Sequence, residues 1–76
     1  MDMTFGEIVR LLRETAELTQ GELGKKLNMT QRKVSYIQNG KYEPSLQDIC
    51  TFCRFFDVSA DYLLGITNVK KTYPRV

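Results

Sequence analysis

The chain has 76 residues, 42% of them hydrophobic and 26% charged, with five Gly and two Pro. This length permits one modest core, so we expect a single domain. No apolar run approaches the roughly 18 residues that span a bilayer, and no signal-like segment opens the chain, which predicts a cytoplasmic protein without a membrane partner. With no histidine and only Cys50 and Cys53, one chain lacks four zinc ligands. We therefore expect no metal, no cofactor and two plain buried thiols.

Charge is unevenly distributed along the chain. Residues 20–43 carry five basic side chains against two acidic ones, whereas the segments 1–19 and 44–65 each carry two more acidic than basic side chains. The last eleven residues add Lys70, Lys71 and Arg75 without an acid. A basic middle between acidic flanks is typical of a polyanion-binding element, although a solvated helical face gives the same count.

Five Ser or Thr residues are placed as helix N-caps. In a capping box a hydroxyl accepts the backbone N–H three residues on, and an acid there reaches back. Three boxes fit, namely Thr4 with Glu7, Thr19 with Glu22, and Ser45 with Asp48. Thr30 and Ser59 are two further N-caps without the returning acid.

The pattern therefore predicts five helices, over about residues 4–17, 20–27, 31–39, 46–56 and 60–64. Their inward positions are predicted from apolar residues at helical spacing. These are Phe5, Val9, Leu12, Leu23, Gly24, Leu27, Val34, Ile37, Leu46, Ile49, Cys50, Phe52, Cys53, Phe56, Tyr62 and Leu63. The third helix has two inward residues only, so most of it is expected to be exposed.

A resemblance to a known family rests on four spaced segments in one register. They are LTQGELGKKL at 18–27, VSYIQNGK at 34–41, PSL at 44–46 and VSADYLLG at 58–65. Together they resemble the lambda-repressor and Cro family, also called Xre-type regulators, over about residues 5–65. The resemblance implies an all-α, five-helix DNA-binding domain over 4–65, with a helix-turn-helix unit at 20–39, whose third helix enters the major groove of a dimer-bound operator. Residues 66–76 are predicted to be a flexible basic tail, with a dimerisation or minor-groove arm as the alternative.

Four residues of the third helix are the predicted base readers. At about 100° per residue, they lie opposite Val34 and Ile37 or on the flank of that face. Gln31 can pair two hydrogen bonds with adenine, and Arg32 can do so with guanine. Tyr36 can meet a thymine methyl, and Ser35 either contacts DNA or is solvated.

A second group is predicted to contact phosphates. Gln20 matches the family position that bonds a phosphate and supports the first residue of the reading helix. Lys33 and Lys41 supply charge, and Asn39 supplies side-chain or backbone groups.

Some residues depart from the family pattern. Glu17 and Asn28 stand where Gly is common, Gly24 where Ala is commonest, and Gln38 replaces a frequent Glu. Because Gly in a helix costs about 0.5 to 1 kcal/mol relative to Ala, Gly24 predicts a less rigid unit.

Three apolar residues stand at unexpected positions. Ile8, Leu11 and Phe55 occur where the family has polar residues, so they form either an exposed patch for a dimer or protein partner or a slightly enlarged core.

The residue types favour one function over its competitors. Without histidine, a Gly-rich phosphate loop or paired acids, no catalytic set is available, so an enzyme is not expected. The leading prediction is a bacterial or phage repressor that binds an operator, an inverted repeat in double-stranded DNA, as a homodimer. The alternative is a protein-interaction module such as an antitoxin or an antagonist of another regulator.

Overall fold

The computed structural model describes residues 3–70 and confirms the all-α prediction. No strand occurs among these residues. The helices are α1 (Phe5–Thr15), α2 (Gln20–Leu27), α3 (Gln31–Gln38), α4 (Leu46–Phe56) and α5 (Ala60–Leu63). None of the helices within residues 3–70 has the length and apolarity to cross a bilayer.

All five predicted N-caps are confirmed. Each helix follows a Ser or Thr in extended conformation whose hydroxyl accepts the backbone N–H three residues on, and all three predicted capping boxes form in both directions. Satisfying these otherwise unpaired N–H groups fixes where each helix begins.

The helices also end in one common way. A residue with positive φ follows each of them, at Glu17, Asn28, Gly40, Asp57 and Gly65. The next backbone N–H then donates to the carbonyl five residues back, as from Leu18 to Arg13 and from Met29 to Gly24. This left-handed turn pairs the last carbonyl groups and reverses the chain. The first helix accordingly ends at Thr15, two residues before the predicted end at Glu17.

The core lies between α1, α3, α4 and α5, with α2 against α3. Each of its buried members is less than 4% exposed. They are Ile8, Val9, Leu23, Val34, Ile37, Phe52, Val58, Tyr62 and Leu63. Phe52 is central, since its ring packs edge-on against Phe5 at 5.8 Å and stacks on Phe56 at 6.4 Å.

The predicted inward face of α4 is wrong at two positions. Leu46 is 83% exposed and Cys50 is exposed, whereas the buried residues of α4 are Phe52 and Asp48. Cys53 is half-buried, and this burial, together with the neighbouring Cys50, raises the pKa of its thiol. The expectation of two buried thiols therefore fails for Cys50.

The three apolar residues at unexpected positions differ in burial. Ile8 is completely buried, so its assignment to an exposed patch is wrong and it belongs to an enlarged core. Leu11 and Phe55 are exposed to 41% and 38%. The face of α1 that carries Ile8 and Val9 packs into the core, and Leu11 lies outside that face.

Two glycines allow backbones to approach each other. A Cβ atom at Gly6 would lie 2.5 Å from the carbonyl oxygen of Gln38, and one at Gly24 would lie 2.6 Å from the carbonyl oxygen of Met29. Neither distance is compatible with a side chain. Gly24 thus permits the tight α2–α3 turn, a contact that the expectation of a less rigid unit, based on helix propensity alone, did not include.

The segment after Gly65 folds back on α5. The Ser59 N–H donates to the Lys70 carbonyl at 2.9 Å, and the Lys70 ammonium lies 5.8 Å from the Tyr62 ring centroid. Within residues 66–70, Lys70 therefore makes specific contacts with the start of α5, and the flexibility of the tail stays a prediction. The remainder of that predicted tail, 71–76, lies outside the described residues.

Candidate nucleic-acid interface

The helices α2 and α3 form a unit joined by the turn at residues 28–30. Asn28 adopts φ 57°, and its turn brings the Met29 carbonyl against Gly24. Leu23, Val34 and Ile37 anchor the unit in the core, since each is at most 2% exposed. This arrangement places α3 on the outside of the molecule with only one face buried.

The outer face of α3 carries the predicted base-reading residues. Gln31, Arg32 and Tyr36 are exposed, and Ser35 is half-buried. This face is polar and contains an aromatic ring and a charged guanidinium group. It offers the donors and acceptors that base edges in a major groove require.

Two side-chain contacts order this outer face. The Arg32 Nε donates to the Tyr36 Oη at 3.2 Å, and its guanidinium carbon lies 5.6 Å from the centroid of the tyrosine ring. One turn later the Asn39 amide donates to the Ser35 hydroxyl at 3.4 Å. Both pairs have i, i+4 spacing, which brings side chains together on a helix surface.

Lys33 points away from this outer face. Its ammonium group donates to the Asp48 carboxylate at 3.0 Å and lies 5.2 Å from the centroid of the Tyr42 ring. The hydrogen bond to Asp48 raises the pKa of Lys33, against a smaller opposite effect of burial. In the structure Lys33 thus links α3 to α4, and its phosphate contact stays a prediction.

Asp48 is the buried partner in this link. Burial alone would raise the pKa of its carboxyl group, but hydrogen bonds from the Ser45 backbone and from Lys33 outweigh it, so the pKa lies below its ordinary value. One carboxylate thus caps α4 and holds α3. The sequence signal at Asp48 showed only the cap, because no local pattern reports a contact to a residue fifteen positions away.

A second polar cluster lies beneath the end of α3. The Gln38 carbonyl oxygen Oε1 accepts from the Gln20 amide at 3.4 Å and from Arg13 Nη2 at 3.5 Å. Arg13 also donates through Nη1 to the Leu18 carbonyl at 2.7 Å. The side chain of Gln20 therefore meets the last residue of α3, rather than Gln31 at its start as the family resemblance implied.

The remaining predicted phosphate ligands lie at the C-terminal end of α3. Asn39 and Lys41 are both exposed. The Lys41 N–H donates to the Tyr36 carbonyl at 2.8 Å, which fixes the turn after the helix. Within residues 3–70, Arg32 and Lys41 have no acidic partner, so their charges are available to an anion.

This geometry agrees with a comparison to families of known proteins. A family model described as "Helix-turn-helix domain" matches residues 4–63, most of the chain. The chain belongs to the helix-turn-helix domain family. Membership confirms the resemblance seen in the four sequence segments, and also the expectation that the chain is not an enzyme.

Individual relatives of this helix-turn-helix chain are transcriptional regulators by name. It is 30% identical over 69 residues to the HTH-type transcriptional regulator ImmR of Bacillus subtilis, covering 91% of this chain and 54% of that protein. It is 34% identical over 53 residues to the uncharacterized HTH-type transcriptional regulator MJ0272 of Methanocaldococcus jannaschii, covering 70% of this chain and 80% of that protein. The chain spans about half the length of ImmR and of the similar B. subtilis regulator YobD.

Solved structures share the helix-turn-helix fold. The P22 c2 repressor in complex with synthetic operator 9T matches with a TM-score of 0.78 and 25% identity, over 86% of this chain and 98% of that chain. The solution structure of the P22 c2 DNA-binding domain matches with a TM-score of 0.76 and 23% identity, over 96% and 99%. The second likeness shows the fold alone, and the five-helix, lambda-repressor-like architecture is thereby confirmed.

Proposed function

We propose that this chain is a sequence-specific DNA-binding transcriptional regulator, a bacterial or phage repressor that acts in the cytoplasm and binds an operator as a homodimer. One observation carries the proposal. α3 buries Val34 and Ile37 and exposes a polar face with Gln31, Arg32 and Tyr36. A short helix with this division of faces suits insertion into a major groove.

Base reading is assigned to Gln31, Arg32, Tyr36 and Ser35. The bidentate groups of the first two match adenine and guanine, and the ring of Tyr36 matches a thymine methyl. Phosphate contacts are assigned to Gln20, Asn39 and Lys41. The similarity to a repressor solved in complex with a synthetic operator supports DNA binding.

Lys33 is left out of the proposed phosphate ligands. Its ion pair with Asp48 would have to break before it could reach a phosphate, and its ring contact with Tyr42 would be lost as well. The loss of both contacts opposes such a move. We assign Lys33 to positioning α3 instead.

The experiment is selection from a random duplex library at physiological salt, followed by sequencing of the bound pool. We expect an enriched inverted repeat, because a two-fold dimer reads two half-sites about one helical turn apart. Enrichment of an unrepeated site would contradict the homodimer but not DNA recognition. No enrichment by protein that is folded by circular dichroism would reject the regulator.

Two variants then test the division of roles on the selected duplex. Arg32→Ala should cost about 1 to 3 kcal/mol and relax preference at one base position. Lys41→Ala should weaken all sequences alike and reduce the slope of log affinity against log salt by about one. Equal losses on every duplex for both variants would contradict the assignment.

A protein-interaction function is the second candidate. The exposed Leu11 and Phe55 are the observation that favours it, since they supply apolar contact area for a partner or a second copy. A Leu11→Ser, Phe55→Ser double variant, measured by sedimentation equilibrium, should dissociate if these residues join two copies. An unchanged mass for a dimeric protein would place the interface elsewhere.

A further inference from the structure

The contact between Arg32 and Tyr36 restricts how the arginine can meet a base. Nε of Arg32 donates to the Tyr36 hydroxyl at 3.2 Å, while the guanidinium group lies against the tyrosine ring at 5.6 Å. Both side chains are exposed, so the pair lies on the outer face of α3. The hydroxyl oxygen is the acceptor, and its proton stays free for another group.

A guanidinium group has five N–H donors in a planar fork. With Nε engaged by Tyr36, the two terminal NH₂ groups hold the remaining four donors. Guanine presents O6 and N7 in the major groove as two adjacent acceptors. While the bond from Nε to Tyr36 is kept, the fork of Arg32 meets guanine through its terminal NH₂ groups.

The tyrosine ring lies one helical turn from Arg32, beside its fork. Side chains at i and i+4 are 5 to 6 Å apart at Cβ, and successive base pairs are about 3.4 Å apart along a strand. A ring beside an arginine that binds one guanine therefore reaches the edge of a neighbouring base pair. The apolar group displayed there in the major groove is the C5 methyl of thymine.

We propose that Arg32 and Tyr36 read one two-base-pair step as a unit, a guanine with a thymine in the adjacent pair. The inference rests on the proposed function and deepens it. Arg32 bonds the guanine, and Tyr36 has two roles. It positions the guanidinium through Nε, and it packs its ring against the thymine methyl.

Insertion into the major groove should strengthen the contact between Arg32 and Tyr36. In water an exposed cation–π contact contributes little, but it becomes stronger once both groups are desolvated. The hydrogen bond likewise gains from a lower local dielectric constant. Removing the tyrosine hydroxyl is therefore expected to affect the choice of base as well as overall affinity.

The experiment uses the duplex selected by the wild-type protein and three changes to it. One replaces the step's G·C pair by A·T, one replaces the thymine by deoxyuridine, which removes only the methyl group, and one changes a pair outside the site. Tyr36→Phe keeps the ring and removes the acceptor. Tyr42→Phe is the matched control, since Tyr42 has almost the same exposure, 39% against 38%, and its ring contacts Lys33 on the other side of α3.

For the wild-type protein we expect deoxyuridine to weaken binding about fourfold, as for loss of one buried methyl group. Tyr36→Phe should keep that response and lose about fivefold of the preference for guanine, as for one hydrogen bond. Tyr42→Phe should keep the wild-type preference for guanine. Circular dichroism confirms that each variant is folded.

Several outcomes would overturn the proposal. Selected sites without thymine beside the guanine, an unchanged preference for guanine in Tyr36→Phe, or equal loss in Tyr42→Phe would each do so. These results differ from failure of the proposed function, in which the wild-type protein enriches no sequence and the step cannot be defined because no site exists.

Discussion

The two sides of α3 are held by contacts of different kinds. Towards α1, the backbone of α3 lies against Gly6, where a Cβ atom would come within 2.5 Å of the Gln38 carbonyl oxygen. Towards α4, the contact is a side-chain ion pair between Lys33 and Asp48 at 3.0 Å. Backbone atoms cannot rotate away from an intruding group, whereas side chains can change rotamer or exchange a partner for water. The position of α3 should therefore be sensitive to small changes on one side and tolerant on the other.

The largest effect is expected from Gly6→Ala, which tests the backbone contact. The added methyl group meets the carbonyl groups of Ile37 and Gln38, so α1 and α3 must separate. We expect a loss of about 3 kcal/mol in the free energy of unfolding, as for overpacking a tight site. Urea denaturation at pH 7 measures this loss.

Two further glycines provide the controls for this prediction. Gly24→Ala meets the Met29 carbonyl at 2.6 Å and should also destabilise, whereas the nearest atom to a Cβ at Gly21 is 3.6 Å away. Gly21→Ala should therefore stabilise by up to about 1 kcal/mol through helix propensity. A destabilising Gly21→Ala or a neutral Gly6→Ala would show that propensity or unfolded-state effects, rather than packing, govern these positions.

The side-chain contact is tested by Asp48→Asn, for which we expect a smaller loss of about 1 to 2 kcal/mol at pH 7. Because the pKa of Asp48 is lowered in the folded state, its contribution is present above the ordinary pKa and disappears as pH falls through the folded value. Because the pKa of Lys33 is raised, its ammonium group stays charged at neutral and acidic pH, so the pH dependence of the pair comes from Asp48. Urea midpoints of wild type and variant from pH 7 to pH 2 should therefore start to converge below about pH 4 and meet only below the lowered pKa of folded Asp48.

A matched control separates the ion pair from general acid effects. Glu43→Gln also removes one carboxylate, but Glu43 is exposed, so this variant should follow the wild-type pH profile. A constant difference between wild type and Asp48→Asn over the whole range would mean that the Lys33 pair adds nothing and that shape alone matters.

Helix positions could be predicted from the sequence because local groups determine them. Thr4, Thr19 and Ser45 each have their partner acid three residues on, so the cap and its box are complete within four residues. The turn residues that end α2 and α3, Asn28 and Gly40, are also recognisable alone. The division of α3 into an inner and an outer face followed from Val34 and Ile37 alone.

The orientation of α4 could not be predicted in the same way. Apolar residues occupy seven of its eleven positions, so helical periodicity does not single out one face. In the structure α4 buries Phe52 in the core and Asp48, at 6% exposure, against Lys33, whereas Leu46 lies on the outer side. Long-range polar contacts of this type leave no local pattern.

The polar cluster beneath α3 gives a third prediction, an increase in stability for Gln38→Glu. Among residues 3–70, the buried Gln38 Nε2 and Arg13 Nε have no hydrogen-bond acceptor. In Gln38→Glu an oxygen stands in place of the unpaired NH₂ group, and the new carboxylate pairs with the guanidinium group of Arg13. We expect a gain of about 1 kcal/mol at pH 7.

The Arg13→Ala background is the control for that gain. Gln38→Glu should give no gain there and should destabilise, because the part-buried charge then has no cation beside it. The same gain in both backgrounds would indicate that helix propensity rather than the Arg13 pair is responsible. Thermal unfolding of the four proteins of this cycle provides the comparison.

The smallest effect is expected at the turn after α1, where a substitution tests the backbone conformation of Glu17. Glu17 has φ 60°, a region in which L residues other than Asn and Asp are disfavoured and glycine is free of strain. Glu17→Gly should therefore stabilise by about 0.5 to 1 kcal/mol, even though glycine costs more entropy to order. Asn28→Gly, at φ 57°, should gain less, because asparagine already tolerates this conformation. Urea unfolding of both variants compares the two gains in the free energy of unfolding. An equal or larger gain for Asn28→Gly would mean that the Glu17 side chain already relieves the backbone strain at Glu17.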